Sequence, residues 1–340
     1  MTSRTTPDSP SAFAQRLADI PLKRVPAEPR DRLAGTWRQA RPARIRESFE
    51  LAMKRDPGGW FVAGASGDLT GERSLARTIA GREVVLWRGE DGSALAGPGA
   101  CPHLGALLED CEVMRGKVVC RWHGLALGAE GQPGWSPYAA QDDGVFLWVR
   151  LGVDGEVPTE APALPARPPL AESISTVVSV RGRCEPADVL ANRLDPWHGT
   201  WYHPYAFSHL TVDDSASTPE CLVVDVTFRV SATWGVPVRA EFTCPDARSI
   251  VMTITEGEGT GSVVETHATP VGHEAEGTPL TVMAEATIAH SARRGFAVAR
   301  AVQGLVRPAV ARTARQLWVD DMAYAERRWL LRERGEDYGA

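Results

Sequence analysis

The sequence predicts a two-domain protein of the α+β class, in which a small antiparallel β domain precedes a domain of helices and antiparallel sheet. Its 340 residues are enough for two hydrophobic cores of ordinary size. Short β-rich runs separated by glycine-containing turns fill much of the first half, and the second half ends in a long helical segment.

The N-terminal segment, residues 1–57, is predicted to be an arm that precedes both domains. It opens with a tail rich in Ser, Thr and Pro, a composition typical of disorder. A basic, helix-like stretch follows from Arg44 to Arg55. No motif in the arm indicates a role.

Residues 58–151 form the predicted β domain, with strands at 83–87, 118–120 and 145–149. The next segment, residues 152–172, is a predicted linker. Proline restricts the backbone and donates no hydrogen bond, so a proline-rich segment makes a stiff connector without regular structure. The prolines of this linker are Pro158, Pro162, Pro165, Pro168 and Pro169.

Residues 173–335 form the predicted second domain. A helical stretch at 187–203 comes first and a long helix at 293–334 comes last. The predicted strands lie between them, at 221–230, 239–244, 249–255 and 281–290. Helices that flank an antiparallel sheet make this domain α+β.

The composition excludes several classes of function. The net charge of −6, without long like-charge runs, gives no reason to expect nucleic-acid binding. The longest apolar stretch, around 296–310, is interrupted by Arg300, Arg307 and Pro308, so we expect no transmembrane helix. The N-terminus lacks the apolar core of a secretory signal, and we expect a cytoplasmic protein. Without a G-x-G-x-x-G unit, we expect no nicotinamide or flavin site.

Two Cys/His pairs lie in the first domain. Cys101 and His103 belong to the box C-P-H-L-G, and Cys120 and His123 belong to the box C-R-W-H-G. Two such pairs on two loops can hold a [2Fe–2S] cluster, with the thiolates on one iron and the imidazoles on the other. The glycine that ends each box lets its loop turn tightly beside the metal.

A zinc site and a chance grouping are the alternatives for these four residues. Structural zinc sites usually begin with two to four residues between the first two ligands. Only Pro102 separates Cys101 from His103. Chance would have to account for both boxes and for both glycines.

The two boxes resemble the Rieske [2Fe–2S] domain, and the resemblance implies that Cys101, His103, Cys120 and His123 hold the cluster. Rieske proteins of respiratory complexes carry an additional cysteine in each box, and the two form a disulfide.

The corresponding positions here hold Ala106 and Trp122, which favours the oxygenase branch of the family. Cys111 departs from the family, which commonly has glycine there, and we expect it to be a buried small residue. The remaining histidines and cysteines show no partner pattern and are predicted to be structural.

A second constellation, N-x-x-D-x-x-H-x-x-x-x-H, runs from Asn192 to His203. On a regular helix His198 and His203 would point about 140° apart. They can share a metal ion only if the helix loosens or ends between them, which Gly199 and Pro204 make easy. Both could instead be ordinary histidines near a helix end.

This pattern resembles the mononuclear iron motif of Rieske oxygenases, in which two histidines and a carboxylate form a facial triad. The family has an acidic residue in the last helix, followed five positions later by glutamate, and Asp321 and Glu326 fit. Helical spacing also places Asp321 on the apolar face, where a carboxylate needs a cation. Asp320 remains the alternative ligand.

Asp195 is predicted to act beside the iron. It precedes His198 by three residues, so it can accept a hydrogen bond from the ring nitrogen that does not bind metal. The resemblance implies that it also reaches a cluster histidine of a neighbouring subunit, by position the residue equivalent to His123. Asp195 could also cap a helix that begins at Pro196, and the two roles are compatible.

The resemblance, which covers about residues 60–326, implies the terminal oxygenase of a multicomponent system. A ferredoxin or an NAD(P)H-dependent reductase would supply electrons to the [2Fe–2S] cluster, and O2 would react at mononuclear Fe(II) beside an organic substrate. The reaction would be a hydroxylation, demethylation or desaturation. By analogy we expect a homotrimer and a helix-grip catalytic domain.

A hydrophobic substrate is predicted from apolar residues on the strands of the second domain. These are Phe228, Trp234, Phe242, Met252, Ile254 and Met283. The alternatives are a Rieske-type electron carrier without oxygenase activity and a zinc-bearing lipid-binding or scaffold protein. A carrier would need neither the second domain nor the triad.

Overall fold

The computed structural model describes residues 22–336 of the chain. The first part of the predicted disordered tail, residues 1–21, lies outside the described residues. The described part of the N-terminal arm contains strand β1 (Lys23–Arg24) and helix α1 (Pro42–Ala52). Ile45, Phe49 and Ala52 of α1 pack against the core of the second domain, so the arm is docked there.

The first domain consists of three antiparallel sheets of three strands each. Its strands are β2 (Trp60–Ala65), β3 (Leu75–Ile79), β4 (Arg82–Arg88), β5 (Ala94–Pro98), β6 (Glu112–Met114), β7 (Lys117–Val119), β8 (Ala126–Leu127), β9 (Ala140–Asp142) and β10 (Phe146–Arg150). The sheets are β2–β10–β9, β3–β4–β5 and β6–β7–β8. One hydrophobic core lies under β2, β4 and β10, and a second packs around Trp87, Trp135 and the two box cysteines.

The second domain is built on one large antiparallel sheet. Its strands are β11 (Ile174–Gly182), β12 (Phe207–Val212), β13 (Cys221–Arg229), β14 (Trp234–Asp246), β15 (Ser249–Gly257), β16 (Val263–His273) and β17 (Pro279–Ala289). The strand order is β11–β17–β16–β15–β14–β13–β12, and β1 pairs with the start of β14. The helices are α2 (Pro186–Arg193), α3 (His198–Tyr202), α4 (Arg294–Ala301) and α5 (Gln303–Glu333).

Helix α5 packs on one face of this sheet, over its edge strand β11, and against α2. Its buried residues include Trp318, Met322 and Ala325, which recur at the spacing of one helix face. Strand β14 alternates in burial, so that Val238, Ala240 and Phe242 point into the same hydrophobic core. The α+β fold class predicted from the sequence is confirmed.

The opposite face of the sheet packs against the first domain. Trp60, Phe146 and Trp148 form a hydrophobic cluster with Ala286 and Ile288 of β17. The two domains therefore share a buried apolar interface within one chain.

A buried ionic contact strengthens this interface. Arg167, from the proline-rich linker, donates to Asp143 of the first domain at 2.9 Å and to Glu265 of β16 at 2.8 Å. Burial opposes ionisation of both carboxyl groups, but their hydrogen bonds to Arg167, and for Glu265 also to His267, lower their pKa values. Within residues 22–336, no helix combines the length and the apolar content needed to cross a bilayer.

Three sequence predictions about these elements need correction. The predicted helical stretch at 187–203 is two short helices, α2 and α3, which residues 194–197 separate. The predicted helix at 293–334 is two helices, because the backbone leaves helical geometry at Val302 (φ −107°, ψ 24°). Trp234, a predicted pocket residue, lies at the end of β14 and is 45% exposed. The other predicted pocket residues, from Phe228 to Met283, belong to the core between sheet and helices or pack against it.

Candidate metal centres

The two cysteine–histidine boxes form loops with the same backbone geometry. In the first loop, the N–H of Cys101 donates to the carbonyl of Ala106, and the N–H of Gly105 donates to the carbonyl of Cys101, both at 2.8 Å. The second loop repeats both bonds at the same length, from Cys120 to Leu125 and from Gly124 to Cys120. Both glycines have left-handed backbone, with φ of 73° and 75°, which a side chain would disfavour.

These loops place the two thiols inside and the two imidazoles outside. Cys101 and Cys120 are buried and not in a disulfide, whereas His103 and His123 are exposed at the loop tips. The ring centroids of the two histidines are 4.9 Å apart.

The environment of the thiols suits a cluster. Burial, together with the adjacent Cys120 thiol, raises the pKa of Cys101, although the backbone N–H groups of His103 and Leu104 lower it. A positive iron centre would supply the charge that keeps both thiols ionised, and the N–H groups would donate to the sulfur. The four residues therefore fit a [2Fe–2S] cluster.

The second constellation brings its histidines together with a carboxylate from α5. Oδ1 of Asp321 lies 2.7 Å from Nε2 of His203 and 3.1 Å from Nε2 of His198. One ligand atom from each of the three residues lies within 4.8 Å of the others. Two imidazoles and one carboxylate, mostly buried and converging on one point, fit a facial iron triad.

The local sequence explains how two histidines five residues apart can meet. Helix α3 begins at His198 and ends at Tyr202, and His203 leaves helical geometry with φ −117° and ψ 55°. The predicted end of the helix between the two histidines is present in the structure. Pro204, which disfavours helical geometry in the residue before it, directly follows.

Further residues contact Nδ1 of His203 and the carboxylate of Asp321. Nδ1 of His203 lies 3.3 Å from the Tyr205 hydroxyl and 3.7 Å from Oδ2 of Asp320, and the same hydroxyl donates to Asp320 at 2.6 Å. The amide of Asn192 donates to Oδ1 of Asp321 at 3.3 Å. Such outer contacts fix the ring orientation of metal-binding histidines.

The structure distinguishes the two candidate aspartates. The side chain of Asp321 is 4% exposed and contacts both histidines through their Nε2 atoms. The side chain of Asp320 is 28% exposed and faces the outer nitrogen of His203. Glu326, predicted to accompany Asp321, accepts a hydrogen bond from the backbone of Arg183 at 2.8 Å and does not contact the triad histidines.

Asp195 lies beside His198, but the contact differs from the predicted one. Nδ1 of His198 contacts the backbone carbonyl of Asp195, whereas the carboxylate Oδ2 is 3.7 Å away. The other carboxylate atom, Oδ1, is buried without a hydrogen-bond partner among the described residues. The Asp195 side chain as a whole is 13% exposed.

Metal-free, the triad is an ionic cluster. Burial disfavours a charged His198, but its hydrogen bonds to Asp195 and Asp321 outweigh burial and raise its pKa to about 9. Burial likewise opposes ionisation of Asp321, but both histidines lower its pKa well below the usual range. The carboxylate is thus ionised, as a metal ligand must be.

A second buried polar contact in the second domain was not predicted from the sequence. The guanidinium of Arg193 lies 3.6 Å from the buried carboxyl of Glu285, which also accepts from the Thr266 hydroxyl at 3.1 Å. Burial raises the pKa of Glu285. Arg193 follows Asn192 directly, but nothing in the sequence indicates that its partner is on β17.

Comparison with known proteins agrees with this architecture. A family model described as a domain of unknown function, DUF5914, matches residues 153–336, more than half of the chain. The chain belongs to the DUF5914 family. In this member, a model described as the Rieske [2Fe-2S] domain matches residues 59–158.

Curated relatives of this DUF5914 protein include oxygenase subunits. It is 33% identical over 105 residues to the vanillate O-demethylase oxygenase subunit of Pseudomonas sp. (strain HR199 / DSM 7063), covering 27% of this chain and 29% of that protein. It is 35% identical over 79 residues to the dicamba O-demethylase oxygenase component of Stenotrophomonas maltophilia, covering 23% of each chain. The chain thus spans less than a third of each relative's length. The resemblance predicted from the two boxes is confirmed.

Solved structures share the fold over most of the DUF5914 protein. Dicamba monooxygenase bound to dicamba matches with a TM-score of 0.59 at 16% identity, over 82% of this chain and 89% of that one. The terminal oxygenase of carbazole 1,9a-dioxygenase from Nocardioides aromaticivorans IC177 matches with a TM-score of 0.56 at 14% identity, over 86% and 90%. The fold of the chain therefore matches that of these two oxygenases over most of its length.

Proposed function

We propose that this protein is the terminal oxygenase of a multicomponent Rieske system. Cys101, His103, Cys120 and His123 would hold a [2Fe–2S] cluster, and His198, His203 and Asp321 would hold mononuclear Fe(II). When bound, the cluster supplies single electrons, and the Fe(II) supplies open positions at which O2 is reduced. The convergence of the three triad side chains carries the proposal.

The residues around the triad prepare it for this chemistry. The ionised carboxylate of Asp321 supplies one negative charge to a dication, and the imidazole Nε2 atoms face the same point. Tyr205 and Asp320 orient His203 through Nδ1, and the backbone of Asp195 orients His198 through Nδ1. Both histidines would then present their Nε2 atoms to the metal.

Several features favour an oxygenase over the alternative, an electron carrier of the Rieske type. A carrier needs only the first domain, whereas here more than half of the chain builds a second domain around the triad. The curated relatives are named as oxygenase subunits or components. A reductase or ferredoxin partner follows from an oxygenase role.

A cytoplasmic homotrimer remains part of the proposal. The Asp195 side chain supports the trimer, because it is 13% exposed and its Oδ1 has no hydrogen-bond donor among the described residues, although a carboxylate oxygen in such a site normally has one. The exposed His103 and His123 carry ring N–H groups at a loop tip. A cluster histidine of the partner subunit could supply the missing donor to Asp195.

The substrate would be a hydrophobic organic molecule that binds among the apolar side chains between the sheet and the helices. Phe242, Met252, Ile254 and Met283 pack together in this core. The pair Arg193–Glu285 adds a polar point in an otherwise apolar interior. A hydrophobic molecule with one polar group would match both features. Hydroxylation, demethylation or desaturation of such a molecule are the candidate reactions.

Nitric oxide, a stand-in for O2, tests the oxygenase role. Added anaerobically to the reduced holoprotein, it should give the paramagnetic signal of a ferrous nitrosyl in addition to the Rieske signal. In Asp321→Ala the nitrosyl signal should disappear while the Rieske signal remains. A wild-type protein with a full Rieske signal and no nitrosyl signal would support the electron carrier.

A further inference from the structure

We propose that α4 and the first turns of α5 form a docking surface for an anionic lipid membrane. An exposed apolar stripe spans the junction of the two helices at Val302. Its apolar centre consists of Val298, Val302 and Leu305, which are 67%, 47% and 81% exposed. The exposed Arg294 and Arg312 lie at its two ends.

Helix α4 has little support from the protein itself. None of its eight residues is buried, although Phe296, Val298 and three alanines are apolar. A cluster of large apolar side chains that is exposed to solvent indicates a binding surface. A helix that presents such a stripe gains stability by burying it against an apolar partner.

The positive charge of the segment between Glu285 and Asp320 favours an anionic partner. No acidic residue lies between Glu285 and Asp320, whereas six arginines do, in a chain with net charge −6. Arg293 forms an ion pair with Glu258, in the turn that follows β15. The other five arginines add positive charge at the surface. Two of them, Arg300 and Arg307, line a crevice of about 280 Å³ behind the stripe.

An anionic bilayer meets both requirements. Helices that lie in a membrane interface combine an apolar stripe, which enters the acyl boundary, with arginines that bind the head groups. A second copy of the chain fits less well, because a symmetric contact would set this arginine-rich segment against itself. An acidic protein partner would match the charge, but it would also need an apolar groove in which to bury the stripe.

Co-sedimentation with vesicles tests this surface on the full-length holoprotein. We expect binding to vesicles of phosphatidylcholine and phosphatidylglycerol in equal parts, weak binding to pure phosphatidylcholine, and weaker binding at high salt. Arg294→Gln/Arg312→Gln should weaken binding about 30-fold. Leu305→Ser should weaken it about tenfold.

Matched controls separate this surface from general stickiness. Val230→Ser removes a 64% exposed valine, and Arg46→Gln an exposed arginine, elsewhere on the protein. Both should bind vesicles like the wild type. The proposal is overturned if the wild type shows no preference for anionic vesicles, or if the controls lose as much binding as the stripe variants. It is also overturned if the wild type binds no vesicles and Leu305→Ser changes the oligomeric state, which would assign the stripe to a contact between subunits. None of these readouts depends on oxygenase activity.

Discussion

Nε2 of His203 lies 2.7 Å from Oδ1 of Asp321, although 118 residues separate the two in the chain. Helix α5 supplies the aspartate and the end of α3 supplies the histidine. The contact joins the two ends of the second domain at the one point where His198 also arrives. The proposed function depends on this convergence.

Removal of Asp321 should empty the mononuclear site. Asp321→Ala takes away the only carboxylate of the triad, so the variant should lose its mononuclear iron and keep the cluster. Asp320→Ala is the matched control and should retain the iron, since Asp320 faces the outer nitrogen of His203. Iron and acid-labile sulfide analyses report both. If the Asp320 variant alone loses iron, the ligand assignment is wrong.

Removal of the Asp195 carboxylate should separate metal binding from electron transfer. In Asp195→Ala the backbone carbonyl that contacts His198 is retained, so both metals should stay bound. The carboxylate proposed to link the two centres is lost, and turnover should stop. Stopped-flow reoxidation of the reduced cluster should slow by about 10–100-fold or more. A normal rate in the metal-replete variant would contradict this role.

The linker arginine should hold the domains together. Arg167→Met leaves the buried carboxylates of Asp143 and Glu265 facing each other without a cation, so the free energy of unfolding should fall by about 3–5 kcal/mol. Arg41→Met breaks an exposed pair with Asp214 and should cost about 1 kcal/mol or less. Urea unfolding measures both. Equal losses in the free energy of unfolding would show that the linker contact stabilises the protein no more than an exposed ion pair does.

The metal-free protein should lose stability as the pH rises. The carboxylates of Asp195 and Asp321 raise the pKa of His198 to about 9 against burial, and an unfolded histidine titrates near 6.5. A raised folded-state pKa gives stability that is complete below about pH 6.5 and is lost as the pH rises through about 9.

Unfolding of the chelated protein checks this between pH 6 and 10, buffer values chosen to bracket both pKa values. The loss should be on the order of 3 kcal/mol. His198→Gln cannot titrate, so the difference between wild type and variant isolates this histidine. A difference that stays constant with pH would contradict the linkage.

Local patterns predicted the parts of the structure that depend on neighbouring residues. The strands with clear apolar runs, such as β4, β10 and β13, lie close to their predicted positions. Strands β11, β12 and β16 were not among the predicted strands. In β16, Glu265, Thr266 and His267 make the sequence polar. Those residues are polar because they contact Arg167, Glu285 and Ser249 in the folded protein.

The residues of the candidate sites were likewise predicted where their pattern is local and missed where it depends on the fold. The spacing within each box and between His198 and His203 is local, and the sequence singled out these residues. The clamp formed by Arg167 and the pair Arg193–Glu285 join residues that only the folded sheet brings together. Sequence spacing alone has no signal for either contact.

The most direct test is the iron and acid-labile sulfide content of anaerobically purified protein. Two iron centres of different kind on one chain require about three iron atoms and about two sulfides per chain. Zinc in place of iron, or iron without labile sulfide, would contradict the account.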